Sequence, residues 1–241
     1  MAFVTLALTI TFDMSADFAL DKPSIQTAWR AFLQHVPVFL MIWVGSFLLT
    51  LVGVLVSIVL GVVFSFALVG AGGNDTMFGL AAVLAQLGQL PFVMCVSLLT
   101  VLLVAVPAAY YERGEIVTVS AALSMLMVHW RRYLLAGVLF SLATTVGTFL
   151  CVLPGIAVAL VTPVFVNRIF VTDMNIGDAF SQSFQAVYRS ENGWGFVGQQ
   201  IVVFVVVGLV TLLTCGFGSI LVVPVASFYI QNLAYNRGLL R

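Results

Sequence analysis

The chain has 241 residues, of which 62% are hydrophobic and 7% charged, and its Lys and Arg residues balance its Asp and Glu residues to a formal net charge of zero. Soluble domains carry a charge on about a quarter of their residues, so this composition excludes a soluble globular fold. It also excludes a basic surface large enough to bind nucleic acid. We therefore predict an integral membrane protein.

An apolar stretch near the start, residues 3–12, is too short to cross a bilayer and follows no basic residue. We predict no signal peptide, because the small-residue cleavage site that ends one is absent as well. A surface strand and an irregular lead-in both fit this stretch.

All nine Lys and Arg residues fall into four stretches of the sequence, and these alternate with three stretches that hold none. In multi-pass membrane proteins, cytoplasmic loops are enriched in Lys and Arg. The alternation therefore predicts a multi-pass membrane protein with the cation-bearing stretches and both termini on the cytoplasmic side. The four groups are Lys22 with Arg30; Arg113 with Arg131 and Arg132; Arg168 with Arg189; and Arg237 with Arg241.

Four charge-free windows, 31–74, 76–111, 133–167 and 192–236, each exceed the roughly 20 residues that a helix needs to cross a bilayer core. They predict an all-α bundle of six transmembrane helices, at about residues 37–69, 77–110, 133–150, 156–172, 195–213 and 220–235. The first two helices are longer than a bilayer is thick. They must therefore tilt, project beyond the membrane, or break near Gly53 or Pro91.

A short amphipathic segment precedes each predicted helix pair, and the three segments share the spacing i, i+3, i+4, i+7, i+8 and i+11, which defines one helical face. These segments are too short to span, so we predict three cytoplasmic interfacial helices with Ser24, Thr118 and Asn175 as N-caps. The chain is then a single membrane domain, 1–241, of three same-orientation repeats, 24–111, 118–172 and 175–236. The alternative is that amphipathic helices resemble one another by composition alone. The patterned positions are Ile25, Ala28, Trp29, Phe32, Leu33 and Val36; Val119, Ala122, Leu123, Leu126, Met127 and Trp130; and Ile176, Ala179, Phe180, Ser183, Phe184 and Val187.

Part of the second and third repeats resembles a known family. Residues 150–156 contain a Leu-Pro-Gly-Ile turn, Pro163 follows in the next helix, and an acidic junction at 173–179 leads to Ser183 and Trp194. This pattern is similar to that of the bacterial YciC-like inner-membrane family and of the related membrane domain of some glycerophosphodiester phosphodiesterases. The resemblance spans residues 141–213 and implies six helices in the cytoplasmic membrane. It implies no phosphodiesterase activity, because these 241 residues contain no soluble catalytic domain of that kind.

Four polar side chains inside the predicted spans are candidates for an intramembrane polar site: Arg168, Gln86, Gln89 and Gln199. Ionisable groups are rare within membranes and often functional there. For Arg168 we prefer snorkelling to the interface, with pairing to Asp173, Asp178 or Glu112, over a substrate site. For the glutamines, together with Gln200, we prefer interhelical hydrogen bonds over a transport pathway.

Residues at the predicted cytoplasmic interface are candidates for lipid contact, because aromatic and basic side chains suit the headgroup region. For His35 and His129 we prefer contact with headgroups or backbone carbonyls over a metal site, since no metal-ligand spacing surrounds them. Arg131 and Arg132 suit anionic headgroups and topology anchoring about equally. The complete set is Trp29, Arg30, His35, His129, Trp130, Arg131, Arg132 and Trp194.

The sequence contains none of the usual catalytic motifs. It has no nucleophile elbow and no glycine-rich nucleotide loop, and the isolated Cys95, Cys151 and Cys215 predict buried small hydrophobic side chains rather than ligands. We therefore predict no enzyme, no catalytic residue, no metal and no cofactor. The predicted function is that of a non-catalytic accessory or scaffold protein contacting membrane lipids and a membrane-protein partner or complex. The alternative is a small transporter or channel, or a lipid-handling protein.

Overall fold

A computed structural model of the chain describes residues 22–70, 72, 75–150 and 152–240, and within these ranges the structure is helical and has no strand. The predicted all-α class is confirmed for this part of the chain, whereas the apolar stretch at residues 3–12 lies outside it. The described helices are α1 (Ile25–Gln34), α2 (Val36–Gly70), α3 (Asp75–Leu87), α4 (Leu90–Arg113), α5 (Val119–Val128), α6 (Trp130–Leu150), α7 (Val152–Val171), α8 (Ile176–Tyr188), α9 (Gly193–Leu213) and α10 (Ser219–Asn236).

Five helices of the described ranges are long and apolar enough to cross a membrane, as expected of a multi-pass membrane protein. They are Val36–Val69 of α2 together with the whole of α4, α6, α7 and α9. The sixth predicted span, 220–235, lies within α10, which is helical as predicted but is not among these five. The amide side chains of Gln231 and Asn232 lower the hydropathy of its last turns. The described part of the chain therefore has five candidate crossings without α10 and six with it.

The predicted second span is in fact two helices, α3 and α4, which are separated by Gly88 and Gln89. α2, in contrast, continues through Gly53 without a break. Pro91 explains the location, because proline lacks an N–H and disfavours the helical conformation in the residue before it. Pro91 is tolerated in the first turn of α4, where the N–H groups have no helical partner in any case.

The three short helices α1, α5 and α8 begin at the predicted N-caps. α1 and α8 are amphipathic as predicted, whereas α5 is apolar without a distinct polar face. The Ser24 hydroxyl accepts a hydrogen bond from the Thr27 N–H at 3.1 Å, and the Thr27 hydroxyl accepts one from the Ser24 N–H at 3.3 Å. Thr118 caps α5 in the same way, and Asn175 caps α8 through its side-chain oxygen. The capping predictions are confirmed. In chain order, a short capped helix followed by longer helices occurs three times; the symmetry of these copies and their position at an interface stay predictions.

The described residues divide into two compact units. The hairpin unit is Phe39–Leu102, and the main unit combines the described residues up to Val38 with those from Leu103 onward. Within the hairpin unit, Gly45, Gly53 and Gly61 of α2 each lie against a side chain of α3 or α4. Small residues at such contacts let membrane helices approach closely. The glycines of α2 therefore mark the face on which α3 and the first part of α4 pack.

In the main unit, α7 and α10 form the interior and α6 and α9 lie outside them. Half of the residues in the most apolar window of α7 are buried (50%), against 17% in α6 and in α9. The interior side chains include Val161 and Val164 of α7 and Phe228 and Leu233 of α10. Because the outer helices bury so little against protein, most of their apolar surface is available to lipid or to another protein.

Buried prolines occur inside three helices: Pro107 in α4, Pro163 in α7 and Pro224 in α10. A proline leaves the carbonyl four residues earlier without its helical donor. The carbonyl freed by Pro107, that of Leu103, accepts the Ser227 hydroxyl of α10 at 2.7 Å. The carbonyl freed by Pro163, that of Ala159, accepts the Thr162 hydroxyl at 2.6 Å. Side-chain hydroxyls thus satisfy backbone groups that could not find water in an apolar environment.

The contact between α6 and α7 depends on Gly147 and Gly155. A Cβ atom added at Gly147 would lie 3.1 Å from the Gly155 nitrogen, and one added at Gly155 would overlap the Thr148 hydroxyl and lie 3.0 Å from the Thr148 Cα. The second contact involves backbone, which cannot move away as a side chain can. α6 and α7 therefore touch backbone to backbone near the turn that joins them.

We predict that Gly155→Leu separates α6 from α7 and lowers thermal stability in detergent, since overpacking a close contact costs about 1–3 kcal/mol. Gly137→Leu, in α6, is the matched control, because a Cβ there meets no atom within 4 Å. Size-exclusion chromatography after heating measures both variants. An equal loss of stability in the two variants would contradict a role of the glycine contact.

Candidate functional site

Arg168 lies in the last turn of α7 and is 9% exposed. Its guanidinium donates from Nη1 to Oε1 of Gln182 in α8 and from Nη2 to the carbonyl of Leu239, both at 3.2 Å. The predicted pairing of Arg168 with Asp173, Asp178 or Glu112 is not found in the described structure. The buried guanidinium instead has neutral oxygens as partners, so its positive charge is not compensated by a carboxylate there.

The chain after α10 supplies one of those partners through a defined helix end. Gly238 adopts a left-handed conformation (φ 71°), and its N–H donates to the Tyr235 carbonyl while the Leu239 N–H donates to the Ala234 carbonyl. These two bonds form a Schellman motif, in which glycine takes the left-handed position at little cost. The motif turns the chain so that Leu239 is buried and its carbonyl accepts a bond from Arg168.

Gln199, one of the four predicted polar-site residues, belongs to the same end of the main unit. Its side-chain oxygen accepts a hydrogen bond from Nη2 of Arg237 at 3.3 Å, and the Arg237 carbonyl accepts one from the Asn192 amide at 3.3 Å. The Arg237 guanidinium also lies directly against Gly195, where a Cβ would overlap it. The segment after α10 is thereby joined to the start of α9 as well as, through Arg168, to the end of α7.

Gln200, next to Gln199, is fully buried, and neither atom of its amide group has a hydrogen-bond partner in the described part of the chain. Gln231 of α10 is also fully buried; its Nε2 donates to the Pro163 carbonyl at 2.9 Å, while its Oε1 has no partner in that part. Unpaired buried amides are rare in native structures and call for an explanation. Sequence reasoning selected Gln199 for the site and missed Gln231, whose position seven residues after Pro224 on an interior helix was the available signal.

Gln86 and Gln89 belong to the hairpin unit. Gln86 is exposed near the end of α3, and Gln89 is half-buried in the break before α4, where its side chain lies beside Gly53. The four predicted polar residues are therefore divided between the two units, with Arg168 and Gln199 in the main unit. Three further polar residues of the main unit lie outside the predicted four-residue set: Gln182 and Arg237, which bond to Arg168 and Gln199 respectively, and the buried Gln200.

His35 was predicted to contact headgroups or backbone carbonyls. Its ring is fully buried, so headgroup contact is wrong for this residue, and the other alternative, contact with a backbone carbonyl, is found. Nδ1 lies 2.7 Å from the Ala31 carbonyl, and Nε2 accepts a hydrogen bond from the Val117 N–H at 3.1 Å. The accepting role of Nε2 places the proton on Nδ1, which donates to Ala31. The ring also packs against Tyr110 and Phe228, so a neutral His35 links α1, α4, α10 and the α4–α5 connection.

The other predicted interface residues lie at the surface, with the exception of Arg132. Arg132 is half-buried; its Nη2 donates to the carbonyls of Thr172 and Met174, and its Nη1 lies 3.6 Å from an oxygen of Asp173. It thus joins the start of α6 to the end of α7. The guanidinium carbon of Arg131 lies 5.4 Å from the centre of the Trp130 ring, a cation–π arrangement. The exposed members are Trp29, Arg30, His129, Trp130, Arg131 and Trp194, and their contact with lipid stays a prediction.

The prediction of buried cysteines is wrong for two of the three. Cys95 and Cys215 are free and exposed, and Cys151 lies outside the described residues. Cys215 occupies a left-handed position (φ 51°) in the α9–α10 turn, where the chain reverses direction and side chains point outward.

Comparison of the chain with protein-family models, with curated proteins and with solved structures found no match. The resemblance to the YciC-like family accordingly stays a prediction from the residues that carry it.

We predict that acid destabilises the protein through His35. Burial lowers the pKa of His35 below its ordinary value, and the hydrogen bond to Ala31 opposes this shift only in part. The unfolded chain therefore binds a proton first, and the stability contributed by neutral His35 is complete above pH about 6.5 and decreases as the pH falls below it. The melting temperature in detergent should fall between pH 7.5 and pH 5.5.

The control pair is His35→Gln and His129→Gln. Glutamine at position 35 keeps a donor and an acceptor but does not titrate, so the melting temperature of this variant should fall much less between pH 7.5 and pH 5.5. His129 is exposed, and the melting temperature of its variant should fall as in the unmodified protein. The same pH dependence in His35→Gln as in the unmodified protein would contradict the assignment.

Proposed function

We propose that the protein is a non-catalytic, multi-pass accessory or scaffold protein of the cytoplasmic membrane that contacts lipids and a membrane-protein partner. In this proposal α10 is the sixth crossing, both termini are cytoplasmic, and the short helices α1, α5 and α8 lie in the cytoplasmic interface. The distribution of Lys and Arg supports this orientation, because the turns between α6 and α7 and between α9 and α10 hold no cation.

The side chains of α1 support an interfacial position. Ala28 and Phe32 are buried in the main unit, while Ile25, Trp29 and Leu33 on the adjacent stripe are exposed. At 10 residues, α1 is about 15 Å long and cannot cross a bilayer. A short helix with one apolar stripe against protein and another left open is suited to the boundary between headgroups and acyl chains.

The observation that carries the proposal is the apolar character of two turns of the main unit, the turn between α6 and α7 and the turn between α9 and α10. Phe149 and Leu150 at the α6–α7 turn are 87% and 78% exposed, and Leu213 and Phe217 at the α9–α10 turn are 81% and 77% exposed. Exposed clusters of large apolar side chains mark surfaces that another molecule covers. The charge-free windows 133–167 and 192–236 supply no ionised group to hold these turns in water.

The lengths of the interior helices support the same conclusion. α7 has 20 residues and α10 has 18, so at a rise of about 1.5 Å per residue they are about 30 Å and about 27 Å long. A bilayer core is about 30 Å thick. Each helix is therefore just long enough to cross, and the two turns lie close to the opposite boundary of the apolar region, where they meet lipid or the apolar surface of a partner.

A photo-crosslinking amino acid tests for the partner. With p-benzoylphenylalanine in place of Phe149 or Phe217, irradiation of native membranes should yield a discrete adduct of higher mass that contains a second protein. The same group at Val205, which is exposed on α9 away from the turns, should yield lipid adducts without such a band. Lipid adducts alone at both turn positions, together with purification as a lone monomer in mild detergent, would overturn the accessory role.

Gln200 and Arg168 favour a second candidate, a small transporter or channel. A buried amide with two unpaired atoms and a buried guanidinium with neutral partners are groups that a polar substrate could satisfy. Liposomes loaded with pH-sensitive or potassium-sensitive dyes would report flux. Protein-dependent flux that is lost in Arg168→Ala and Gln200→Leu, and retained in Gln86→Ala at an exposed position, would replace the accessory role by transport. Equal signals with and without protein favour the accessory role.

A further inference from the structure

A groove of about 420 Å³ lies within the main unit between α1, α9 and α10. Ile25 and Trp29 of α1 line one end, valines of α9 such as Val206 form one wall, and Tyr229 belongs to the opposite wall on α10. The lining is apolar except for the Tyr229 hydroxyl and the Trp29 ring nitrogen. A polar ligand would therefore lose its hydration without gaining hydrogen bonds in return.

The groove is elongated along the helices. Its α9 wall extends from Val202 to Val210, and its α10 wall extends from Tyr229 to Leu221. Each wall is thus about 12 Å long at a rise of about 1.5 Å per residue. The two walls start beside α1 and continue toward the apolar turn between α9 and α10. The groove accordingly has the direction of a lipid chain that enters the membrane from the side of α1.

An extended acyl chain suits this lining, because it is apolar throughout and has no group that needs a hydrogen-bond partner.

We propose that this groove holds one acyl chain of an anionic phospholipid, with the phosphate at the α1 end. The inference rests on the membrane placement in the proposed function but not on the existence of a protein partner. The groove is continuous with the exposed apolar face of α9, a candidate span, through Val202 and Val206. A lipid chain therefore reaches it from the surrounding membrane without crossing any polar surface.

The charge of α1 selects the headgroup. Arg30 is exposed and follows Trp29 directly, and α1 itself contains no Asp or Glu. A basic residue close to the membrane surface attracts an anionic lipid. Tryptophan prefers the headgroup level of a membrane, which matches the place of Trp29 at the end of the groove. The phosphate thus lies where α1 carries its positive charge, and the chain lies along α9 and α10.

Fluorescence quenching of Trp29 tests the site. In a variant with Trp43→Phe, Trp130→Phe and Trp194→Phe, Trp29 is the remaining tryptophan of the four in the sequence. Phosphatidylglycerol brominated on its acyl chains, added to the protein in detergent, should quench Trp29 in a saturable way. In the same background, Val206→Phe fills the groove and should weaken the apparent affinity at least tenfold. Val205→Phe is the matched control, because Val205 is equally apolar and exposed but does not line the groove.

Two further arms separate the contributions of chain and headgroup. Ala226→Leu fills the groove from α10 and should reproduce the loss seen with Val206→Phe, so the result does not depend on how one variant folds. Arg30→Gln should weaken quenching by brominated phosphatidylglycerol severalfold and leave that by brominated phosphatidylcholine unchanged. Non-saturating quenching, or equal quenching in Val205→Phe and Val206→Phe, would overturn the inference. Saturable binding to a protein that shows no partner adduct at Phe217 would retain this site and reject only the partner.

Discussion

The main unit depends on hydrogen bonds between α10 and backbone carbonyls of its two interior neighbours. The Ser227 hydroxyl donates to the Leu103 carbonyl of α4, and the Gln231 amide donates to the Pro163 carbonyl of α7. Pro107 has removed the helical donor of the Leu103 carbonyl, and in an apolar surrounding no water replaces that donor, so this carbonyl needs the Ser227 hydroxyl. Proline thus has two effects: it interrupts the helix ladder, and it creates an acceptor that another helix can use.

The same type of contact organises the end of the main unit that carries the cations. Arg132, Arg168 and the ring of His35 each bond to backbone carbonyls, and only Arg132 also has a carboxylate within 4 Å in the described structure. A backbone acceptor has no net charge, so these residues join segments without adding buried negative charge. Arg132 and Arg168 thus hold α6, α7 and the segment after α10 together.

Burial divides the main unit into two kinds of surface, and this division links the fold to the proposed function. α7 and α10 are largely inside, while α6 and α9 present most of their side chains outward and end in exposed Phe149 and Phe217. The groove beside α9 belongs to the outer kind. In the proposed function, these exposed apolar faces are the surfaces that meet lipid and a membrane-protein partner.

The sequence by itself determined the class, the helices, the three N-caps and the sorting of charge, because these follow from local periodicity, capping chemistry and composition. Of the two break points that the sequence suggested, Gly53 in the first long helix and Pro91 in the second, the structure shows a break only beside Pro91. The sequence could not determine the partners of Arg168 or the burial of His35, since these depend on where Leu239 and Val117 lie, 71 and 82 residues away in the chain. Neighbouring Gln199 and Gln200 are equally polar in sequence, and only the packing of α9 against the interior decided which one is buried.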